Sequence, residues 1–160
     1  MITYITGNIL ASNAQALINT VNTVGIMGKG LALQFKDAYP SNFTAYQKAC
    51  KQGDIAIGKL FVTIDQNLKS GEKIIINFPT KKDWRNPSEY IFIEQGLDDL
   101  VKIIKKQNIK SVAIPPLGAG LGGLKWEKVK KIIEQKLTNL DVEIIVYEPN
   151  NNIKEQFETK

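Results

Sequence analysis

The sequence predicts an α/β protein: a three-layer α/β/α fold around a central mixed, mostly parallel sheet. Three observations lead there. Stretches of strand type and helix type alternate along most of the chain. Lys73-Ile74-Ile75-Ile76-Asn77-Phe78 is nearly continuous apolar, as a strand covered on both faces should be. Three polar or glycine-rich loops, 22–30, 79–87 and 115–124, each leave the end of an inferred strand. Ligands of such sheets sit outside the carboxyl ends of the strands, so these loops are expected to share one crevice.

Met1–Thr6 alternates well enough for a first strand, and Gly7-Asn8-Ile9-Leu10 turns out of it toward a brief helix at Ala11–Asn13. Ala16–Val21 is the second strand. The helix after Gly30 places Leu31, Phe35 and Ala38 or Tyr39 on one face, and Pro40 ends it. Ser41 is the expected cap of the next helix, with Phe43, Tyr46 and Cys50 inward and Gly53 at its close. Leu60–Ile64 and Lys73–Phe78 read as strands, the latter stopped by Pro79. Ser88 is placed to cap a helix whose apolar positions are Ile93, Leu97, Leu100, Val101 and Ile104. Ser111–Ile114 is the next strand. A helix from Trp126 buries Trp126, Val129, Ile133 and Leu137, and Val142–Tyr147 closes the sheet. One domain, 1–150, is expected, followed by a frayed tail, 151–160.

The 160 residues suffice for a full core. With no histidine and a single cysteine, Cys50, the chain has no Ser-His-Asp triad, Cys-His pair, thiolate zinc cluster or internal disulfide. Neither a signal peptide nor a membrane-length apolar run is visible, so a cytoplasmic location without membrane attachment is expected. The net charge of +5 favours an anionic partner without naming it. Basic residues outnumber acidic ones 7 to 4 in residues 1–80 and 14 to 12 in residues 81–160, so neither half is a basic tail.

The first glycine loop, Gly25-Ile26-Met27-Gly28-Lys29-Gly30, joins a strand to a helix and aims backbone N–H groups outward. Its spacing is neither that of the Rossmann fingerprint nor that of a P-loop. The second, with Gly118, Gly120, Gly122 and Gly123, has the same setting. Two such cradles facing one another suit a diphosphate; tight packing of turns is the plainer alternative. Asn19 sits in an apolar strand and needs a partner there, whereas Asn22 at the mouth is the better candidate to hold a sugar hydroxyl. Of Lys81 and Lys82, one should face the crevice and the other solvent. A crevice lysine can steady a phosphate, protonate a leaving group, or attack as a nucleophile. Trp84 and Arg85 suit a base-stacking, phosphate-holding surface. Asp83 is the only acid in the three loops, which disfavours chemistry by paired carboxylates and a dinuclear metal site.

Taken together, Ile18–Ala32, Phe78–Arg85 and Pro115–Trp126 resemble the macrodomain family, which binds ADP-ribose, over nearly the whole chain. Within it they are similar to the branch of the DNA ADP-ribosyl glycohydrolase antitoxins (DarG-like), related to the human terminal ADP-ribose protein glycohydrolase. The resemblance implies that Gly25, Met27, Gly28, Lys29 and Gly30 wrap the distal ribose and a phosphate. It implies that Leu117, Gly118, Ala119, Gly120, Leu121, Gly122 and Gly123 hold the diphosphate, with Asn19, Thr23 and Thr80 among the flanking contacts. Asn22 corresponds to the asparagine at the distal ribose, and Lys81 to the lysine tied to catalysis, which forms a covalent adduct in the human relative. Gly7-Asn8-Ile9 corresponds to an element whose aspartate holds the adenine amino group; Asn8 stands in for that acid, and the backbone N–H of Ile9 is left as an adenine contact. Tyr147 resembles a residue near the adenosine, with a core aromatic as the equal alternative. The human relative has a catalytic aspartate where this chain has Gly122, a glycine that agrees with the DNA-directed branch.

The function so implied is hydrolysis of ADP-ribose from thymidine in single-stranded DNA, with ADP-ribose as product, no cofactor, and Lys81 and Asn22 as the catalytic pair. A DNA-modifying ADP-ribosyltransferase toxin is the implied partner, and the chain is expected to be a monomer. DNA-directed members often carry a further toxin-binding region; this chain ends too soon for it, so a stand-alone form or an excised domain is expected. Removal of ADP-ribose esters from protein carboxylates, or a non-catalytic ADP-ribose reader, are the competing readings.

Overall fold

The computed structural model describes residues 1–149; Asn150 and the 151–160 tail lie outside the described residues. Six strands, β1 (Ile2–Ile5), β2 (Ala16–Val21), β3 (Phe61–Asn67), β4 (Gly71–Pro79), β5 (Ser111–Ile114) and β6 (Glu143–Tyr147), form one sheet in the order β1-β6-β5-β2-β4-β3. All neighbours are parallel except β3, which runs antiparallel to β4 and makes the sheet mixed. Helices α1 (Gly30–Ala38) and α2 (Pro40–Lys51) cover one face, and α3 (Tyr90–Lys106) and α4 (Trp126–Leu137) cover the other.

Strand periodicity decides which side chain enters which layer. Ala16 and Ile18 of β2, Ile76 and Phe78 of β4, Val112 and Ile114 of β5, and Ile144 and Val146 of β6 pack against Ile93, Leu97, Leu100 and Ile104 of α3 and Val129, Ile133 and Leu137 of α4. On the opposite face Leu17, Ile75, Ala113 and Tyr147 meet Phe35 and Tyr39, and Val21 meets Tyr46 and Ala49. Helix α3 approaches the sheet closely because residue 96 is glycine: a Cβ there would stand 2.2 Å from Phe78 Cζ.

Four local assignments differ from the sequence expectation. The short helix is a 3-10 turn at Ile9–Ala11, because the Asn8 side chain caps it by accepting from the Leu10 N–H at 3.0 Å. Pro40 opens α2 at its first position, where a missing N–H costs nothing, and Tyr39 rather than Ser41 precedes the helix. Ser88 does not cap α3; that position belongs to Glu89, and Ser88 is buried. Trp126 is only half-buried, with Nε1 donating to Glu148 Oε2 at 3.1 Å.

The sheet also carries a polar seam. Asn77 Nδ2 donates to Asn42 Oδ1 at 2.8 Å, and Asn42 Nδ2 returns a bond to Asn77 Oδ1 at 3.1 Å. Asn19 Nδ2 donates to the same Asn77 oxygen at 3.4 Å and reaches Met27 Sδ at 3.8 Å. These amides are almost wholly buried, so their mutual bonds fix α2, β2 and β4 in one register.

Candidate functional site

Strands β2 and β5 pair only at Ala16–Val112 and Leu17–Ala113. Beyond that point β2 continues beside β4 to the pair Val21–Pro79, while β5 ends at Ile114 and turns into Pro115-Pro116. The carboxyl ends of β2 and β5 form the switch point of the sheet, where the connections diverge toward opposite edges, and the crevice expected from the sequence would lie there. The loops after β2, β4 and β5 surround it.

The loop after β2 is built on Asn22. Its Oδ1 accepts from the N–H groups of Val24 at 3.0 Å and Ile26 at 3.3 Å, and its Nδ2 donates to the Ile26 carbonyl at 2.7 Å. Tyr46 of α2 donates its hydroxyl to the Asn22 carbonyl at 2.8 Å and approaches Asn22 Oδ1 at 2.9 Å. Burial pushes the Tyr46 hydroxyl far above its ordinary pKa, so it stays protonated and a donor. In this structure the Asn22 side chain braces the glycine loop through both its amide oxygen and its amide nitrogen. Gly25, at φ 87°, lets the chain turn over Cys50 and Gln47. Cys50 is half-buried, and burial raises its thiol, in keeping with a packing role.

The loop after β4 is tied to the first. Thr80 N–H donates to the Val21 carbonyl at 2.9 Å, and Thr23 N–H and Oγ1 both donate to the Lys82 carbonyl, at 3.1 and 2.6 Å. These bonds set the alternation that follows: Lys81 is half-buried toward the crevice, and Lys82 is exposed, its Nζ 5.8 Å from the Phe92 ring centroid. Lys81 Nζ donates to the Leu121 carbonyl at 3.2 Å. Burial, then the nearby charge of Lys29, pulls the Lys81 pKa below the usual lysine value. Farther out, Arg85 grips Asp83 through Nε to Oδ1 at 3.0 Å and one terminal nitrogen to Oδ2 at 2.9 Å. This pairing holds the Asp83 carboxyl down at about 2 and leaves the Arg85 side chain 69% exposed beside the exposed Trp84.

The loop after β5 is folded on its own backbone. Leu117 donates to Pro115, Ala119 to Pro116, Gly123 to Gly120 and Leu124 to Gly118, at 2.8, 3.0, 3.2 and 2.9 Å respectively. Gly118 and Gly123 have φ of 69° and 81°, which side chains rarely adopt. From below, Ser88 N–H donates to the Gly122 carbonyl at 3.0 Å, and Ser88 Oγ is buried without a partner. Leu121 rides over the first glycine loop: its Cδ1 lies 3.2 Å from where a Cβ on Gly30 would stand. The two loops therefore meet at Leu121, the residue whose carbonyl Lys81 also bonds.

The residues nominated by sequence divide accordingly. Thr23, Gly25, Met27, Gly28, Lys29, Gly30, Thr80, Lys81 and Leu117–Gly123 lie in the loops that leave the carboxyl ends of β2, β4 and β5, with Met27, Thr80 and Leu117 buried. Asn19 is buried beneath it as a support. Asn8, Ile9 and Tyr147 lie at the β1–β6 end. Ile9 and Tyr147 share one apolar cluster, which favours the core reading of Tyr147, and the Asn8 carbonyl oxygen of the side chain is occupied by its cap. Sequence reasoning missed Ser88, the Tyr46 hydroxyl and the Asn42–Asn77 pair. Only Tyr46 left a signal, since a tyrosine on an apolar helix face brings a hydroxyl that must find a partner. Among the described residues no group of three His, Cys, Asp or Glu side chains could hold a metal ion, and no helix is long and apolar enough to cross a membrane.

Comparison with known proteins fits this geometry. The family model described as "Macro domain" matches residues 18–133. The DNA ADP-ribosyl glycohydrolase of Mycobacterium tuberculosis is 54% identical over 151 residues, covering 94% of this chain and 43% of that protein. The chain thus spans less than half the length of that relative. The solved macrodomain of M. tuberculosis DarG superposes with a TM-score of 0.90 at 54% identity, over 94% of this chain and 99% of that one. Thermosipho africanus DarTG, solved in complex with ADP-ribose, superposes with a TM-score of 0.88 at 36% identity, over 94% of this chain and 42% of that one.

Proposed function

The chain belongs to the Macro domain family, in its DarG-like branch, and from that premise we propose that it is a DNA ADP-ribosyl glycohydrolase, releasing ADP-ribose from thymidine in single-stranded DNA. The observation that carries the reading is the position of Lys81. Its ammonium is half-buried, bonded to the Leu121 carbonyl, and lies where two backbone cradles meet. The second cradle suits a diphosphate because its own bonds hold the backbone in place while the N–H groups of Gly118, Gly120, Leu121 and Gly122 donate in none of them.

With the diphosphate so held, the anomeric carbon of the distal ribose comes to Lys81. Water adds its oxygen to that carbon, the bond to the thymine nitrogen breaks with its electron pair leaving on the base, and the proton lost by the water neutralises the base, either directly or by replacing one that Lys81 has given up. Lys81 supplies positive charge to the departing base. Asn22 acts through the shape of the first glycine loop, which it braces. On this reading the biological partner is a DNA-modifying ADP-ribosyltransferase toxin whose product this protein reverses, and no cofactor is required.

The test is release of ADP-ribose from a single-stranded oligonucleotide carrying ADP-ribosyl-thymidine, with Lys81→Ala and Asn22→Ala alongside. Release by the parent and a loss of at least ~100-fold in Lys81→Ala is the expected result, the scale typical of a positioned acid–base group. Release only from ADP-ribosylated protein would move the substrate to carboxylate esters, and binding of ADP-ribose without any release would make the protein a reader.

A further inference from the structure

A second surface leads away from the crevice, and it pairs cations with aromatic rings. Residues 81–92 supply Lys82, Trp84, Arg85 and the half-buried Tyr90, and residues 125–128 add Lys125 and Lys128. One hydrogen bond joins the two stretches, Lys125 N–H to the Tyr90 hydroxyl at 3.0 Å, and a second ties Ser88 N–H to the Gly122 carbonyl in the loop just before residue 125. Lys128 Nζ lies 5.5 Å from the Tyr90 ring centroid, and Arg85 Cζ lies 5.6 Å from that of Trp84. Lys125 and Lys128 are exposed, and among the described residues neither is paired with a carboxylate. The acids on the same stretches are Asp83, already bound by Arg85, and the exposed Glu89 and Glu127.

We propose that this surface is a track for the unmodified part of the nucleic acid strand, with backbone phosphates at Lys125 and Lys128 and bases against Trp84 and Tyr90. The inference rests on the DNA reading of the crevice and extends it to the flanking nucleotides. Three properties favour a single strand over an acidic peptide. Flat rings alternate with cations, as unpaired bases alternate with phosphates along a strand. Trp84 is 47% exposed, so a face is available for stacking. The cations are single lysines at the margin, which suit phosphates as point charges. Nothing in the track reads a base edge, so binding there is indifferent to sequence.

The experiment measures binding of an unmodified single-stranded oligonucleotide by fluorescence anisotropy across a salt series. It also measures turnover of two substrates, a long ADP-ribosylated oligonucleotide and an ADP-ribosylated thymidine nucleotide. The parent is compared with the double variant Lys125→Gln/Lys128→Gln. The expected result is weaker oligonucleotide binding at low salt and a salt slope shallower by about 1.4, at ~0.7 per phosphate contact on single strands. KM for the long substrate rises several-fold, while kcat, turnover of the nucleotide and affinity for free ADP-ribose stay at parental values. Trp84→Ala weakens oligonucleotide binding without changing the salt slope. An unchanged slope and unchanged KM in a variant that turns over DNA would overturn the track. Absence of turnover of any modified DNA by the parent would instead remove the glycohydrolase reading, and the anisotropy series would still decide the track by itself. A double variant impaired only on ADP-ribosylated protein would assign the surface to protein and overturn the proposal.

Discussion

A Cβ on Gly122 would stand 2.5 Å from Ser88 Oγ and equally close to the Gly118 carbonyl oxygen. Residues 88 and 122 therefore compete for the same volume beneath the second glycine loop. Ser88 holds it, and its N–H fixes the Gly122 carbonyl. No side chain, an aspartate included, fits at position 122 with the loop folded this way.

Gly122→Ala should therefore distort the loop. Affinity for ADP-ribose, measured by calorimetry, should fall by ~10-fold or more, equivalent to about 1.4 kcal/mol. The melting temperature should fall as well, since Leu117 of the same loop is a fully buried member of the core and Ala119 and Leu124 pack against it. Ser88→Ala in the same background should not restore binding, because the Gly118 carbonyl still blocks the Cβ.

The charge on Lys81 has a pH signature. Burial and Lys29 lower its pKa, so the ammonium is lost at a lower pH than for an ordinary lysine. If the ammonium is the working form, kcat falls as pH rises through that lowered value, and Lys81→Arg retains part of the activity with its alkaline limb moved upward. Borohydride should trap no adduct with the parent. A rate that climbs with pH, together with a trapped adduct, would instead make Lys81 the nucleophile.

Tyr46→Phe removes one hydroxyl and leaves the buried Asn22 main-chain carbonyl without that donor, while Asn22 Oδ1 keeps the N–H groups of Val24 and Ile26. Unfolding should become easier by roughly 1–3 kcal/mol, the usual cost of an unsatisfied buried group. ADP-ribose affinity should fall as well, because the loop braced by Asn22 loses its anchor to α2. Chemical denaturation and calorimetry on the same samples check both.

Gly96→Ala should separate stability from function. The added methyl meets the Phe78 ring and forces α3 off the sheet, at about 1–3 kcal/mol, typical of overpacked cores. Thermal unfolding should show the loss, while ADP-ribose affinity of the folded fraction stays close to the parent's.

The layers were legible because burial follows periodicity. Leu17-Ile18 and Ile75-Ile76 announce strands covered on both sides, and the alternation from Pro79 onward separates half-buried Lys81 from exposed Lys82. The polar interior was not legible. Asn42 and Asn77 lie 35 residues apart, and nothing in either neighbourhood says that one completes the other. Ser88 misleads for a related reason: a serine before a helix looks like a cap, and only the loop from residues 115–124, folded above it, reveals its other use. Asn22 was found by its place at the end of β2, but its target, the Ile26 backbone, depends on a turn that sequence does not fix.

The loops around the crevice are joined mainly through main-chain atoms: Thr80 to Val21, Thr23 to Lys82, Ser88 to Gly122, and the internal bonds of residues 115–124. The binding surface proposed above is thus written in peptide groups that substitution cannot delete. Truncating side chains one at a time would therefore miss much of the affinity for the ligand. The informative perturbations are those that act on the main chain itself, such as an added Cβ at a crowded glycine or an ester in place of an amide.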